Sequence, residues 1–200
     1  MARGINARGP SAGFDDRLEQ IYRVSIDVFS ERGFVAGTTS QIANRVGLTQ
    51  PALYHYVGGK HAFLVLICER IGSRLLEGMN DALAHEGSAV ERLRRFVSRH
   101  LETITQESAA FGVYVNESRH LPDSDMARIR DQERDYVHAF TSLIEAAQAE
   151  GSLTSTLEPW MYGRLALGAM NWTHRWYHGQ VPLDRLVEDF FQYLGITVSA

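Results

Sequence analysis

From Asp15 onward, apolar residues recur at helical rather than alternating spacing. Leu18, Ile21, Val24, Val28 and Phe29 fall on one face of a first helix. Asp15 and Asp16 stand at its start, where the helix dipole favours acids, and Gly33 is a natural stop. Two short helical pieces are expected at 40–46 and 51–56. A long helix should follow Lys60, carrying Phe63, Leu64, Leu66, Ile67, Ile71, Leu75 and Met79, with 85–88 as its break. Val90, Leu93, Phe96, Val97, Leu101 and Ile104 mark another, and 109–120 a shorter one ended by Pro122. Asp123 or Ser124 can cap a helix running to about Glu150, with Gly151 as its stop. The ranges 159–177 and 183–193 supply the last two. No strand-like alternation and no internal repeat is found. The pattern predicts an all-α fold of about nine helices. It divides into a polar arm (1–13), a head (14–60) and a helical body (61–200).

The densest chemistry lies between Thr38 and Lys60. Ile42, Ala43 and Val46 make the inner face of a short helix, and small Ala43 lets a second helix cross closely. Gly47 permits the left-handed turn of a tight helix–helix connection, and Leu48 plugs the junction. Thr49 can cap the next helix, and Pro51 suits its first turn. With Leu53 and Tyr56 facing inward, Gln50, Ala52, Tyr54 and His55 are left on or near the outer face. Gln50 can read an adenine edge, and Ala52 can touch a thymine methyl. Tyr54, His55 and Lys60 suit phosphates. Thr39, at the start of the preceding helix, can add a phosphate contact. The candidate DNA-binding residues are therefore Thr39, Thr49, Gln50, Pro51, Ala52, Tyr54, His55 and Lys60. Helical hairpins of this geometry also occur in proteins that bind no DNA.

The run Phe29-Ser30-Glu31-Arg32-Gly33-Phe34, then Thr38-Thr39, Ile42-Ala43, Gly47, Leu53-Tyr54-x-Tyr56 and Gly59-Lys60, resembles the head of the TetR/AcrR family of one-component repressors. The resemblance spans 18–66, and Val57-Gly58-Gly59 departs from it, since the family more often has Phe and polar residues before the Lys. It implies a homodimer built from the last two long helices, a double-stranded DNA operator and a ligand pocket in the body. Two heads must stand about 34–36 Å apart to meet successive major grooves. Ligand binding would shift them from that spacing.

Charge changes this picture only slightly. Net charge is −4, but 1–60 carry seven basic against five acidic residues, and 61–200 carry thirteen against nineteen. A weakly basic head on an acidic body suits contact with DNA at one end. The arm, polar and Gly-rich with Arg3 and Arg8, reads as flexible, with a DNA-contacting arm as the other reading. A hydrophobic content of 44% supports a packed core. No apolar run approaches the ~20 residues of a membrane span, and the N-terminus lacks a secretory signal's apolar core. A soluble cytoplasmic protein without membrane contact is expected. The single cysteine, Cys68, excludes a disulfide within the chain.

Two aromatic clusters, 111–121 and 170–178, stand out in the body. Such stripes are commonly core or dimer seam. Glu117, however, sits among apolar neighbours, where a carboxylate needs a partner such as Arg119 or Arg175. Arg175 lies between Trp172 and Trp176, where a guanidinium can stack or hold a phosphate. Tyr114-x-x-Glu117-x-x-x-Leu121 with Asn171-Trp172-x-x-Arg175-Trp176-Tyr177 is similar to a TetR/AcrR branch that regulates fatty-acid or sterol breakdown. That resemblance implies an acyl-CoA thioester as effector, its chain in an apolar tunnel and its phosphates on Arg. The candidate ligand-binding residues are Phe111, Tyr114, Glu117, Tyr136, Phe140, Met170, Asn171, Trp172, Arg175 and Trp176. No cofactor beyond this small hydrophobic effector is expected.

His174 and His178 stand four apart, a metal-ligand spacing with no evident third ligand, so no metal site is assigned. An enzyme finds no support, and no catalytic residue is assigned. Gly58-Gly59-Lys60 lacks the earlier glycine of a phosphate loop, whose place is held by Tyr54, and no Gly-x-Ser-x-Gly elbow occurs. A helical interaction protein with a degenerate head is countered by intact Gln50, Tyr54 and Lys60. Within the regulator class, a drug-responsive repressor of an efflux system is the alternative to the acyl-CoA reading.

Overall fold

The fold comes from a computed structural model that describes residues 12–196. Residues 1–11 of the expected arm lie outside the described residues, and Ala12 already begins the first helix. That helix, α1 (Ala12–Ala36), buries Ile21, Tyr22, Ile26, Val28 and Phe29. Gly33 kinks it rather than ending it. Its φ of 72° and ψ of 164° break the helical path, and one more turn runs on to Ala36. The Gly37 N–H donates to the Gly33 carbonyl at 3.0 Å and closes that turn. Only glycine takes such a φ without a Cβ penalty.

α2 (Thr39–Arg45) and α3 (Gln50–Tyr54) complete the head, and α4 (Lys60–Ala84) runs from it into the body. α5 (Ala89–Gln106) starts at Ser88, which shares a reciprocal cap with Glu91. α6 (Ser108–Glu117) ends in a single 3₁₀ turn over Ser118–His120, so the expected 109–120 helix tightens in its last turn. α7 (Asp123–Ala149) begins after Pro122 with no side-chain cap, where Asp123 or Ser124 was expected to cap it. Asp123 and Asp125 occupy its first turn instead, where they suit the helix dipole.

The helix expected at 159–177 is two helices, α8 (Pro159–Asn171) and α9 (Thr173–Trp176). Polar side chains interrupt it. The Thr173 hydroxyl donates to the Met170 carbonyl at 2.7 Å, and the His174 ring Nδ1 meets the Asn171 carbonyl at 2.6 Å. Side chains that take ladder carbonyls in this way loosen a helix. The last helix is α10 (Leu183–Tyr193). The all-α expectation holds. Among the described residues, extended pairing is confined to one isolated bridge, Leu153 with Ile196.

α4, α5 and α7 pack on one another, α8 lies on α7, and α10 lies on α5. α6 packs against α4, α5 and α9 and also against α1. The core between α5 and α7 is aromatic. The Phe96 ring stacks on Phe140 at 4.4 Å and meets Tyr136 at 4.9 Å. Met170 is also fully buried. No helix is long and apolar enough to cross a membrane among the described residues.

Phe140 is therefore packing, with no accessible surface to offer a ligand. Phe140→Ala should cost ~3–5 kcal/mol of stability, read as a lower urea midpoint at unchanged slope.

Candidate functional site

The head's turn is built by local chemistry. Thr38 caps α2, accepting from the Gln41 N–H, while the Gln41 side chain accepts from the Thr38 N–H at 3.0 Å. Gly47 follows with φ 68°, and the Leu48 N–H returns to the Ala43 carbonyl at 2.9 Å. Thr49 caps α3 by accepting from the Ala52 N–H at 3.3 Å, with Pro51 in the first turn. Ile42, Ala43, Val46 and Leu53 are buried beneath.

On the outside, three candidate side chains meet. Gln50 Nε2 donates to Thr39 Oγ1 at 2.8 Å and to the Tyr54 hydroxyl at 3.2 Å. Thr39 Oγ1 and the Tyr54 hydroxyl are 3.1 Å apart. Ser40 Oγ donates to Gln50 Oε1 at 3.1 Å, a contact unforeseen from sequence. The bonds from Thr39 and then Gln50 hold the Tyr54 phenol below its ordinary pKa. Thr49, Pro51 and His55 are exposed around this cluster, and Ala52 is half-buried. Lys60 lies apart from it. Its ammonium donates to the Val35 carbonyl at 2.9 Å and sits 4.6 Å from the centre of the Phe34 ring. Arg45 is likewise committed within the head, to Glu31.

A cavity of about 270 Å³ opens in the body between α4, α6 and α7. Phe111, Tyr114, Tyr136 and Asn171 line it, as do Leu75, Leu76 and Leu167. One wall is polar. His100 Nδ1 lies 2.7 Å from the Tyr136 hydroxyl, and His100 Nε2 lies 3.0 Å from Asn171 Oδ1. At the open side, the Tyr114 hydroxyl donates to Glu133 Oε1 at 2.7 Å. Burial raises the Tyr136 and Tyr114 phenols, and the Glu133 carboxylate adds to the rise at Tyr114. Burial also pushes the His100 imidazole down to about 4, with the Asn171 bond opposing that shift.

The other ligand candidates do not converge on this cavity. Glu117 and Arg175 line a separate cleft where α6 and α9 face Phe29, Ser30 and Gly33 of α1. Glu117 pairs with neither expected arginine; its carboxylate lies 3.6 Å from His120 Nε2. Arg175 stacks over Trp172 at 4.8 Å, as expected, and reaches Asn116 Oδ1 at 3.4 Å. Trp172 and Trp176 line an open groove with Phe190 and Tyr193 of α10. His174 and His178 share no helix face, because α9 ends at Trp176 and Tyr177 is extended. No group of three or more metal-ligating side chains occurs among the described residues.

His100, Gln132 and Glu133 escaped the sequence reading. The signal for His100 was present. It falls four residues after Phe96 and seven after Leu93, a polar residue in the buried phase of α5. Gln132 and Glu133 carry no such signal, since both lie in the charged stretch of α7.

Two family profiles match the chain. "Bacterial regulatory proteins, tetR family" covers residues 21–67, and "Tetracyclin repressor-like, C-terminal domain" covers 86–195. The transcriptional activator FasR of Mycolicibacterium smegmatis is 29% identical over 54% of this chain, a match that spans only 49% of FasR. The transcriptional repressor KstR2 of Rhodococcus jostii is 22% identical over 94% of this chain and 93% of its own. A crystal structure of AibR in complex with isovaleryl coenzyme A and operator DNA superposes with a TM-score of 0.79 at 19% identity. It covers 90% of this chain and 98% of AibR, and shows that the fold is shared.

The buried imidazole makes stability pH-dependent. The unfolded chain takes up this proton near the ordinary value of 6.5, whereas the folded chain resists it down to about 4. The His100 contribution is full above that upper value and is lost as pH falls across the window. The loss amounts to ~3 kcal/mol. Urea titrations across this range should show it, and His100→Leu should flatten the slope while lowering stability near neutrality.

Proposed function

The chain belongs to the TetR family of bacterial transcriptional regulators, and from that premise we propose that it is a repressor released from operator DNA by an acyl-CoA thioester. Regulators of this family are not enzymes, and the chain acts by binding. The Gln50–Thr39–Tyr54 cluster is the reading surface, with Thr49, Ala52 and His55 beside it. Gln50 meets a base edge and the hydroxyls meet phosphates.

The observation that carries the ligand reading is the position of α6. This one helix supplies Phe111 and Tyr114 to the body cavity and lines the cleft against α1 with Gly112, Asn116 and Glu117. A ligand that moves α6 therefore moves the head. The acyl group occupies the cavity. Asn171 lines that cavity, and Trp172 and Arg175, within the next turn, line outer surfaces. The charged part of the thioester runs past the Arg175–Trp172 stack, where a guanidinium can pair with phosphate. AibR, which shares the fold, binds isovaleryl coenzyme A, and this supports the ligand class.

Two copies pair through α8 and α10. Trp160, Met161, Leu165 and Tyr193 are all exposed there, an apolar surface that a partner copy would cover. Both heads then meet one operator.

A gel shift with DNA from upstream of the protein's own gene tests this reading. Binding should weaken steeply as salt rises, and Gln50→Ala should weaken it by ~1–3 kcal/mol. A panel of acyl-CoAs should release the wild type, and Arg175→Ala should need about tenfold more acyl-CoA for release. A protein that stays bound with every acyl-CoA but leaves with neutral drugs is the efflux-type regulator instead.

A further inference from the structure

The polar wall of the body cavity is more specific than an acyl tunnel needs. Tyr136, His100 and Asn171 form a chain of hydrogen bonds through three helices, α7, α5 and α8. Its direction follows from simple accounting. Asn171 Oδ1 is an acceptor, so His100 Nε2 carries the proton and donates to it. A neutral imidazole has one N–H, so His100 Nδ1 accepts from the Tyr136 hydroxyl. The Asn171 Nδ2 group is left with two N–H donors that meet no acceptor among the described residues, on a half-buried residue of the cavity lining. With the amide reversed, His100 Nδ1 would donate to Tyr136, and the Tyr136 hydroxyl would be the unused donor. In both arrangements a donor is left over from a chain whose members all line the cavity.

The rest of the lining limits what that donor can meet. Phe111, Leu75 and Leu167 make the surrounding surface apolar. The exposed Glu133 carboxylate stands at the open side. A negative charge enclosed there would face it and would lose hydration, so the enclosed group is neutral. A neutral oxygen acceptor matches an N–H donor in a dry site. The strongest common one on a compact organic ligand is a carbonyl.

We propose that the Tyr136–His100–Asn171 chain is a specificity device that selects ligands enclosing a neutral carbonyl oxygen. This rests on the reading of the cavity as the effector site. The carbonyl comes either from a ketone within the acyl group or from the thioester itself. Polar sites of this kind discriminate strongly, because a ligand lacking the oxygen leaves the donor unpaired. Met170 and Leu167 beside Asn171 pack; Asn171 selects.

The first test needs no coenzyme A. Cyclooctanone and cyclooctane differ by one carbonyl oxygen, and ligand-observed NMR titration compares them. Wild-type protein should bind the ketone about tenfold more tightly. A cavity that uses only its apolar wall would prefer the hydrocarbon, since the ketone loses hydration on entry. Asn171→Leu should abolish the ketone preference while cyclooctane still binds, and that retained binding shows the cavity intact. Equal binding of the two probes by wild-type protein, or an unchanged preference in Asn171→Leu, overturns the proposal.

A second arm distinguishes the two sources. Octanoyl-CoA and the thioether S-octyl-CoA differ in the thioester carbonyl alone, and operator release compares them. Release about tenfold easier with octanoyl-CoA assigns the oxygen to the thioester. Equal release, with the cyclooctanone preference retained, assigns it to a ketone in the acyl group. If neither CoA derivative releases the operator, nor any other acyl-CoA, the acyl-CoA reading fails, and the probe pair still decides the role of Asn171.

Discussion

α6 is a ten-residue helix with apolar side chains on more than one face, and such a helix must be covered on each of them. Ala110, Phe111, Val113 and Tyr114 are buried. The cover comes from both parts of the molecule, α4, α5 and α9 on the body side and α1 on the head side. Neither side can be removed without exposing aromatic or β-branched surface. The head and the cavity are thereby joined by packing rather than by a linker. Close-packed interiors transmit small displacements because they have little free volume to absorb them.

The head was legible because its determinants are local. Caps at Thr38 and Thr49, the positive φ of Gly47 and the inward set Ile42, Ala43, Val46 and Leu53 all act within a few residues of where they stand. The body was legible as helices but not as a cavity. Asn171 and His100 are 71 residues apart, and no spacing rule brings them to 3.0 Å. The aromatic clusters fall on helices that line the cavity, yet Glu117, Trp172 and Arg175 face elsewhere. The break at Trp172 separates α9 from α8 where the Thr173 and His174 side chains meet the Met170 and Asn171 carbonyls. His100 was visible only as an exception, a histidine where the period demands an apolar residue.

A buried polar chain in an otherwise apolar core carries a cost. His100 is only 3% exposed and is held neutral, and each unmade bond around it would leave a desolvated group unpaired. Replacing such groups by well-packed apolar side chains is often neutral or stabilising in other proteins. Stability alone therefore gives little reason for His100, Tyr136 and Asn171 to stand together at a cavity. The proposed discrimination between ligands of similar size would give one.

The end of α6 shows what joins the cavity to the head. After Glu117 the chain tightens into the Ser118–His120 turn, and the His120 ring stacks on Phe34 at 5.5 Å. Phe34 follows the Gly33 kink of α1, and its ring also meets His61 at 5.1 Å and carries the Lys60 ammonium. Three elements thus converge on one aromatic ring: the kinked end of α1, the first turn of α4 and the exit from α6. Lys60 in turn binds the Val35 carbonyl, so the start of α4 is tied to the chain that leads into α2. A ligand shifts such an arrangement only as far as it prefers one position of α6 over another. Coupling of ~1–3 kcal/mol is typical between linked sites, and a single neutral hydrogen bond, worth ~0.5–1.5 kcal/mol, reaches the lower part of that range. The cavity wall and the Phe34 cluster are thus joined through one helix, so a displacement of α6 at one is felt at the other.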